Sequence, residues 1–257
     1  GAPAAVIESD GSTSGDVRPF ALDGVFDEER GTAAVYDGAC RELVASVAGG
    51  VNGTILCYGM TGSGKTHTMF GSEADGGGIV GLAASQLLAG SGAEVECSFV
   101  QLYGTQCTDL LVEDGAPLRI RRDGVVDGRS SRPVRSQADV AALVAEGVAR
   151  RKTCSQRLNS ASSRSHAVLA FHVTSAAADA PPTRSATLMC VDLAGAERVK
   201  ESGVDGVALR EARAINTSLF HLVRVVDALA SPRRGRAREA VPYADSPLTL
   251  LLSGALG

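Results

Sequence analysis

Eight consecutive residues constrain this chain more than any others. Gly59-Met60-Thr61-Gly62-Ser63-Gly64-Lys65-Thr66 fits G-x-x-x-x-G-K-[ST] without a mismatch. The glycines let successive backbone N–H groups turn inward around phosphate oxygens. The helix that must follow offers its positive end to the same anion. Lys65 can reach the β- and γ-phosphates, and Thr66 can place a hydroxyl on Mg²⁺. The short apolar run Thr54–Tyr58 feeds directly into the loop and reads as the buried strand that such a loop requires. A chance match in a chain with 30 glycines is the bland alternative. It is weakened because Lys65, Lys152 and Lys200 are the only lysines.

The pattern on either side alternates strands and helices. Ala33–Val47 carries apolar residues at helical spacing and stops at Gly49-Gly50. Glu94–Tyr103 reads as a strand and 137–151 as a helix. His166–Thr174 and Ser185–Leu193 read as two strands joined by a loop containing Pro181-Pro182. Val207–Ala230 is the longest helical pattern, and Ser246–Leu252 a short amphipathic helix. The Gly/Ser/Asp-rich residues 1–19 are expected to be a loose segment, with one α/β domain over 20–257.

Composition narrows the function. With 25 Lys+Arg against 29 Asp+Glu the net charge is −4, which argues against a general nucleic-acid coat and leaves room only for a local basic patch. No apolar stretch approaches membrane-spanning length. The N-terminus lacks the basic and apolar regions of a secretory signal, and it lacks an initiator Met. Six cysteines without C-x-x-C or metal spacing read as reduced thiols in a core.

Phosphate chemistry needs a γ-phosphate sensor and a second Mg²⁺ ligand. Asp192-Leu193-Ala194-Gly195 closes an apolar strand, where such an aspartate belongs, although an ordinary strand-to-turn Asp reads the same way. Asn159-Ser160-Ala161-Ser162-Ser163-Arg164-Ser165-His166 gathers four hydroxyls, an amide and a guanidinium; alone it could be a polar turn capping a helix.

Taken together, Gly-Met-Thr-Gly-Ser-Gly-Lys-Thr-His-Thr-Met, Asn-x-x-Ser-Ser-Arg-Ser-His and Asp-Leu-Ala-Gly-x-Glu-Arg occur in the order and spacing of kinesin motor domains. Asn52–Ile55, Leu102-Tyr103, Asp109–Leu111, Asn216–Leu219 and Val241–Thr249 extend the match. The chain resembles a kinesin motor domain over most of its length. The resemblance implies a three-layer αβα fold of the P-loop NTPase type, with a central mixed sheet flanked by helices. It implies a microtubule-stimulated ATPase that uses ATP and Mg²⁺, found in the cytoplasm on the cytoskeleton. Gly59, Met60, Thr61, Gly62, Ser63, Gly64, Lys65 and Thr66 would cradle the phosphates, and His67 would lie against the adenine. Asn159–His166 resembles the first switch, with Ser162 and Ser163 closing on the γ-phosphate and Mg²⁺. Asp192–Glu197 resembles the second switch. Asp192, with Thr66 and Ser163, would serve the metal, and Gly195 would donate its N–H to the γ-phosphate. Arg164 and Glu197 match the pair that latches the two switches, and Glu197 is also the implied proton relay.

The chain departs from the family pattern in several places. Arg18-Pro19 only partly matches the family's Arg-x-Arg-Pro adenine contact. The first strand, and the last strand, helix and neck linker, are expected to be missing. Ala196 lacks a hydroxyl. The segment resembling Tyr-Arg-Asp-Ser-Lys-Leu-Thr-Arg reads Tyr243-Ala244-Asp245-Ser246-Pro247-Leu248-Thr249-Leu250, so three cations are gone. The basic run Arg233, Arg234, Arg236 and Arg238 just before it is either a solvated face or a tether to an acidic microtubule, within a contact region spanning about 207–252. Two readings follow, a motor moving on microtubules or a nucleotide-binding module with impaired track binding. A GTPase is disfavoured, since neither Lys152 nor Lys200 lies in the Asn/Thr-Lys-x-Asp setting that reads guanine. Neither nucleic acid nor membrane is an expected partner.

Overall fold

The computed structural model describes residues 5–9, 18–72, 76–90, 92–113, 115–157, 164–175, 184–197, 207–230 and 241–256, with backbone only at 5–9, 18–21, 154–157 and 207–215. In chain order the elements are β1 (Ala5–Ser9), β2 (Arg18–Leu22), α1 (Thr32–Val35), a π-helical turn (Tyr36–Cys40), α2 (Arg41–Ala48), β3 (Gly53–Cys57), α3 (Lys65–Phe70), α4 (Gly78–Ala89) and β4 (Ala93–Tyr103). The short strands β5 (Gln106–Asp109), β6 (Arg119–Ile120), β7 (Val126–Asp127) and β8 (Arg132–Pro133) lead into α5 (Gln137–Arg157). Then follow β9 (His166–Ser175), β10 (Arg184–Asp192), α6 (Val207–Ala230), a 3₁₀ turn (Tyr243–Asp245) and α7 (Pro247–Leu256).

The main sheet runs β3-β10-β9-β4-β5, with β8 also on β4. β3 and β10 are parallel and the remaining pairs antiparallel, so the sheet is mixed. Side-chain alternation along the strands builds two cores. Leu169, Phe171 and Val173 of β9 join Phe99, Leu188 and Cys190 under α2, α4 and α5. Val168, Val100 and Val191 face the other way and meet Leu219 and Leu222 of α6 and Leu248, Leu251 and Leu252 of α7. The layers are therefore helix, sheet, helix. Five described cysteines are free thiols, with Cys40, Cys97, Cys107 and Cys190 buried. Among the described residues no helix is long and apolar enough to cross a membrane.

Two expectations change, and one helix is present where no pattern was read. Residues 5–9 are not loose: Ala5–Ser9 pairs antiparallel with Arg18–Leu22, placing Ile7 opposite Phe20. The apolar Ala5–Ile7 and Phe20–Leu22 runs suffice for two strands around a Gly/Ser-rich stretch. The helix at Ala33–Val47 is interrupted by the π turn, whose centre is Gly38; a Cβ there would meet the Phe26 ring at 2.7 Å. Finally, α4 carries no polar face for a helical period to reveal, because Ile79, Val80, Ala83, Ala84 and Leu87 are all buried.

Candidate functional site

The register of β10 on β3 places the site. Asp192 lies opposite Cys57, so the carboxylate that ends β10 stands beside the point where β3 opens into the glycine loop. Gly62 (φ 82°) and Gly64 (φ 88°) adopt the left-handed backbone that wraps the loop before α3 begins. The loop, Lys65, Thr66, His67, Arg151 and Asp192 line a cleft of about 310 Å³.

Within the cleft the charges are held closely. The Lys65 ammonium donates to the carbonyls of Gly59 (2.9 Å) and Met60 (2.6 Å). It is half-buried rather than fully solvent-facing, folded back on its own loop. Thr66 Oγ1 donates to Asp192 Oδ2 at 2.7 Å. The same oxygen receives Arg151 Nη1 at 2.5 Å, a pair buried to 5% and 1% side-chain exposure. Arg151 also donates to the hydroxyl (3.2 Å) and carbonyl (2.7 Å) of Ser165. It thereby ties the strand end after the first-switch segment to Asp192.

Asp192 Oδ1 is buried and has no hydrogen-bond partner. A carboxylate oxygen left bare beside a threonine hydroxyl is the donor set of a hard, oxygen-seeking cation that keeps waters, and Mg²⁺ fits it. Thr66 and Asp192 would hold such an ion. The third expected metal residue, Ser163, lies outside the described residues, as do Asn159, Ser162 and the masked portion of the first switch.

Glu197 docks on the phosphate loop. Its Oε1 accepts from Thr61 Oγ1 (2.6 Å) and its Oε2 from the Thr61 N–H (3.0 Å). Partial burial opposes ionisation, but these Thr61 bonds and the nearby Lys65 charge hold the carboxyl below the usual glutamate range. Thr61 thus latches Glu197 to the loop, offering one donor to each carboxylate oxygen. Gly195 sits beneath this contact. A Cβ there would lie 2.3 Å from both Glu197 Oε2 and Thr61 Oγ1, so a larger residue would have to push this side-chain contact aside. The Ala196 N–H donates to Gly59 O (3.2 Å), a second bond between the second switch and the loop. The exposed His67 lines the mouth of the cleft.

Arg151 is the functional side chain that motif reading passes over. Its signal is positional: Val140, Val144, Gly147 and Arg151 share one face of α5, and Val140 is 1% exposed and Arg151 4%. An arginine on the buried stripe of an amphipathic helix requires an anionic partner inside.

The family model for the kinesin motor domain matches residues 3–257. The chain belongs to the kinesin motor domain family. It is 38% identical over 93% of its length to the kinesin-like protein KIN-12C of Arabidopsis thaliana, spanning 13% of that protein. It is 37% identical over 93% to KIF15-A of Xenopus laevis, spanning 19%. The chain therefore covers a small part of the relatives it matches. Its fold aligns at a TM-score of 0.82 and 31% identity with a fast kinesin whose structure was described for its ATPase mechanism and its interactions with microtubules, covering 94% of this chain and 71% of that one. A C-terminal motor and motor homology domain of Kar3Vik1 aligns equally well, at 0.82 and 30% identity, over 98% of this chain and 67% of that one. In this kinesin motor domain the three-layer fold and mixed sheet expected from the sequence are present.

The segments expected to meet a track are partly described. The basic run Arg233, Arg234, Arg236 and Arg238 lies outside the described residues. Ala244 is exposed, and Pro247 and Leu250 are half-buried. Ser246 and Thr249 cap α7 reciprocally: Thr249 N–H donates to Ser246 Oγ (3.1 Å) and Ser246 N–H to Thr249 Oγ1 (3.2 Å). Asp245 binds Arg224 of α6 at 2.7 Å.

Proposed function

We propose that this kinesin motor domain hydrolyses ATP and couples the cycle to binding and movement on microtubules. The observation that carries the reading is the convergence of Lys65, Thr66 and an Asp192 carboxylate with one bare buried oxygen on a single glycine-lined cleft. When bound, Mg²⁺ would neutralise charge on the transferring phosphoryl group.

The chain's own residues supply the rest. Lys65 exchanges two carbonyl acceptors for phosphate oxygens, which gain more from its charge. The Thr61 N–H becomes available to the nucleotide when Glu197 lets go, so phosphate binding and release of the second switch are one event. Glu197 is then free to meet Arg164, and this closed pair excludes water other than the nucleophile and carries its proton away. Gly195, kept bare of a side chain, allows its N–H to approach the terminal phosphate. Ser162 and Ser163 close from the other side, and His67 flanks the adenine. Arg151 holds the Asp192 carboxylate in place while the cleft is open.

The track is met through residues about 207–252, with Arg233, Arg234, Arg236 and Arg238 as an electrostatic tether to an acidic lattice. Uncharged Ala244, Pro247 and Leu250 favour a second reading, a nucleotide-binding module whose microtubule binding is impaired and which does not move. Co-sedimentation with microtubules, with and without a non-hydrolysable ATP analogue, separates the two. Nucleotide-dependent pelleting supports the motor. Nucleotide binding without pelleting at any salt supports the module.

A further inference from the structure

Outside the cleft, one buried ring joins three segments that the chemistry needs to move together. His166 is the first residue of β9, directly after Ser165, and is 4% exposed. Its Nδ1 accepts the N–H of Ala194 at 3.1 Å. That bond places the ring proton on Nε2, which then donates to Ser218 Oγ of α6 at 2.9 Å. Both nitrogens are used and neither partner is exchangeable with water at this depth. The ring is rigid, so it acts as a strut of fixed length.

We infer that His166 is a positioning residue that ties α6 to the second switch, so that a shift of α6 is delivered to the Ala194–Gly195 backbone. Ala194 is bonded to Gly195, and Gly195 packs without clearance against Thr61 and Glu197. The path from Ser218 through His166 to the phosphate loop therefore contains only a rigid ring, one peptide and one packed glycine. The other side of the ring is anchored as well, because Arg151 holds both the hydroxyl and the carbonyl of Ser165 while gripping Asp192. The strut is thus held at the sheet by Ser165 and Arg151 and joined to α6 through Ser218. That α6 is displaced by a track rests on the function proposed above; the hydrogen-bonded link does not.

The test reads the link first without nucleotide or microtubules. Ser218→Ala removes the acceptor for Nε2, and Ser218→Thr retains a hydroxyl. His166→Asn keeps an acceptor near Nδ1 but cannot span to Ser218. Hydrogen exchange of the 257-residue chain, read at the Ala194 and Gly195 amides, is expected to quicken about tenfold in Ser218→Ala, the ordinary worth of one buried hydrogen bond, and to return to normal in Ser218→Thr. Adding Ser218→Ala to His166→Asn should change that exchange less than about twofold, since the link is already cut. Unaltered exchange at Ala194 in Ser218→Ala, or a lower melting temperature with no local change there, would overturn the strut. A second arm measures turnover with microtubules: Ser218→Ala should lower the stimulation about tenfold while nucleotide affinity stays within about twofold. Full stimulation in Ser218→Ala also overturns the inference. A wild-type chain that turns over no ATP would instead sink the functional reading, leaving the exchange cycle to decide the link on its own.

Discussion

In the phosphate cleft, Lys65, Thr66, Asp192, Arg151 and Glu197 are each held by one another or by loop backbone, and the strongest pair is almost fully buried. On the α6 face the situation is reversed. Phe220, Val223 and Val226 expose apolar surface at 60%, 51% and 43%, and the nearest ion pair, Arg224 with Asp245, is itself half-exposed. The first region is over-determined: changing one member leaves another charge or lone pair stranded. The second can carry uncharged residues at 244, 247 and 250 at little cost to folding, because Ala244 is exposed, Pro247 and Leu250 are only half-buried, and no buried charge depends on them. The same chain can therefore keep its nucleotide chemistry fixed while its track contact drifts.

The contrast breaks most visibly at Lys65. Lys65→Ala should reduce ATP turnover about a thousandfold or more while the melting temperature stays within a few degrees, since only two surface-loop carbonyl bonds are lost. Steady-state turnover beside a thermal melt checks both halves. Gly195→Ala comes next: its Cβ would displace the Thr61–Glu197 contact and stand where the Gly195 N–H must approach phosphate, and turnover should fall about a hundredfold, measured at saturating ATP. Arg151→Ala probes over-determination directly. Stranding Asp192 in the interior should cost about 3–5 kcal/mol in urea unfolding, whereas Arg224→Ala should cost under about 1 kcal/mol. Equal losses would erase the distinction between the two regions.

Smaller effects sharpen it. Restoring Arg, Lys and Arg at 244, 247 and 250 should leave turnover without microtubules unchanged and make pelleting with microtubules less sensitive to salt, by about tenfold in affinity near 0.15 M. Because Ser246 and Thr249 cap α7 by themselves, loss of Pro247 should not melt the helix; circular dichroism checks that. The fold as a whole also responds to pH. Burial, with the neighbouring Arg151 charge, pushes His166 down to about 3, and burial with the Arg129 charge pushes His172 down to about 4. Both are neutral when folded, so the unfolded chain binds the extra protons. Stability is complete above about pH 6.5 and should decline as pH falls from there towards 4, by up to about 1.4 kcal/mol per pH unit for each histidine. Urea midpoints from pH 7.5 to 4.5 report it.

Sequence reading reached the cleft because its chemistry is local. The glycine loop, Thr66 and Asp192 sit in short motifs whose spacing alone dictates the strand and turn around them. Strands β4, β9 and β10 are legible from their apolar runs; β4 and β9 each run one residue beyond the pattern, and β10 starts and ends one residue earlier. What stayed hidden depends on contacts far apart in the chain. The Thr61–Glu197 pair spans 136 residues and Arg151–Asp192 spans 41, and neither leaves a local signature. Helix α4 escaped because apolar residues fill nearly all of its positions and leave no polar stripe, and the β1–β2 pair because each strand has only five residues.

The central claim is that one cleft both holds nucleotide and answers to the track. It is tested most directly by titrating microtubules into the wild-type chain at low salt and measuring ATP turnover. The account predicts turnover that rises with microtubule concentration, saturates, and vanishes in Lys65→Ala. Turnover that is flat across the titration, although the same chain pellets with the microtubules, would contradict it.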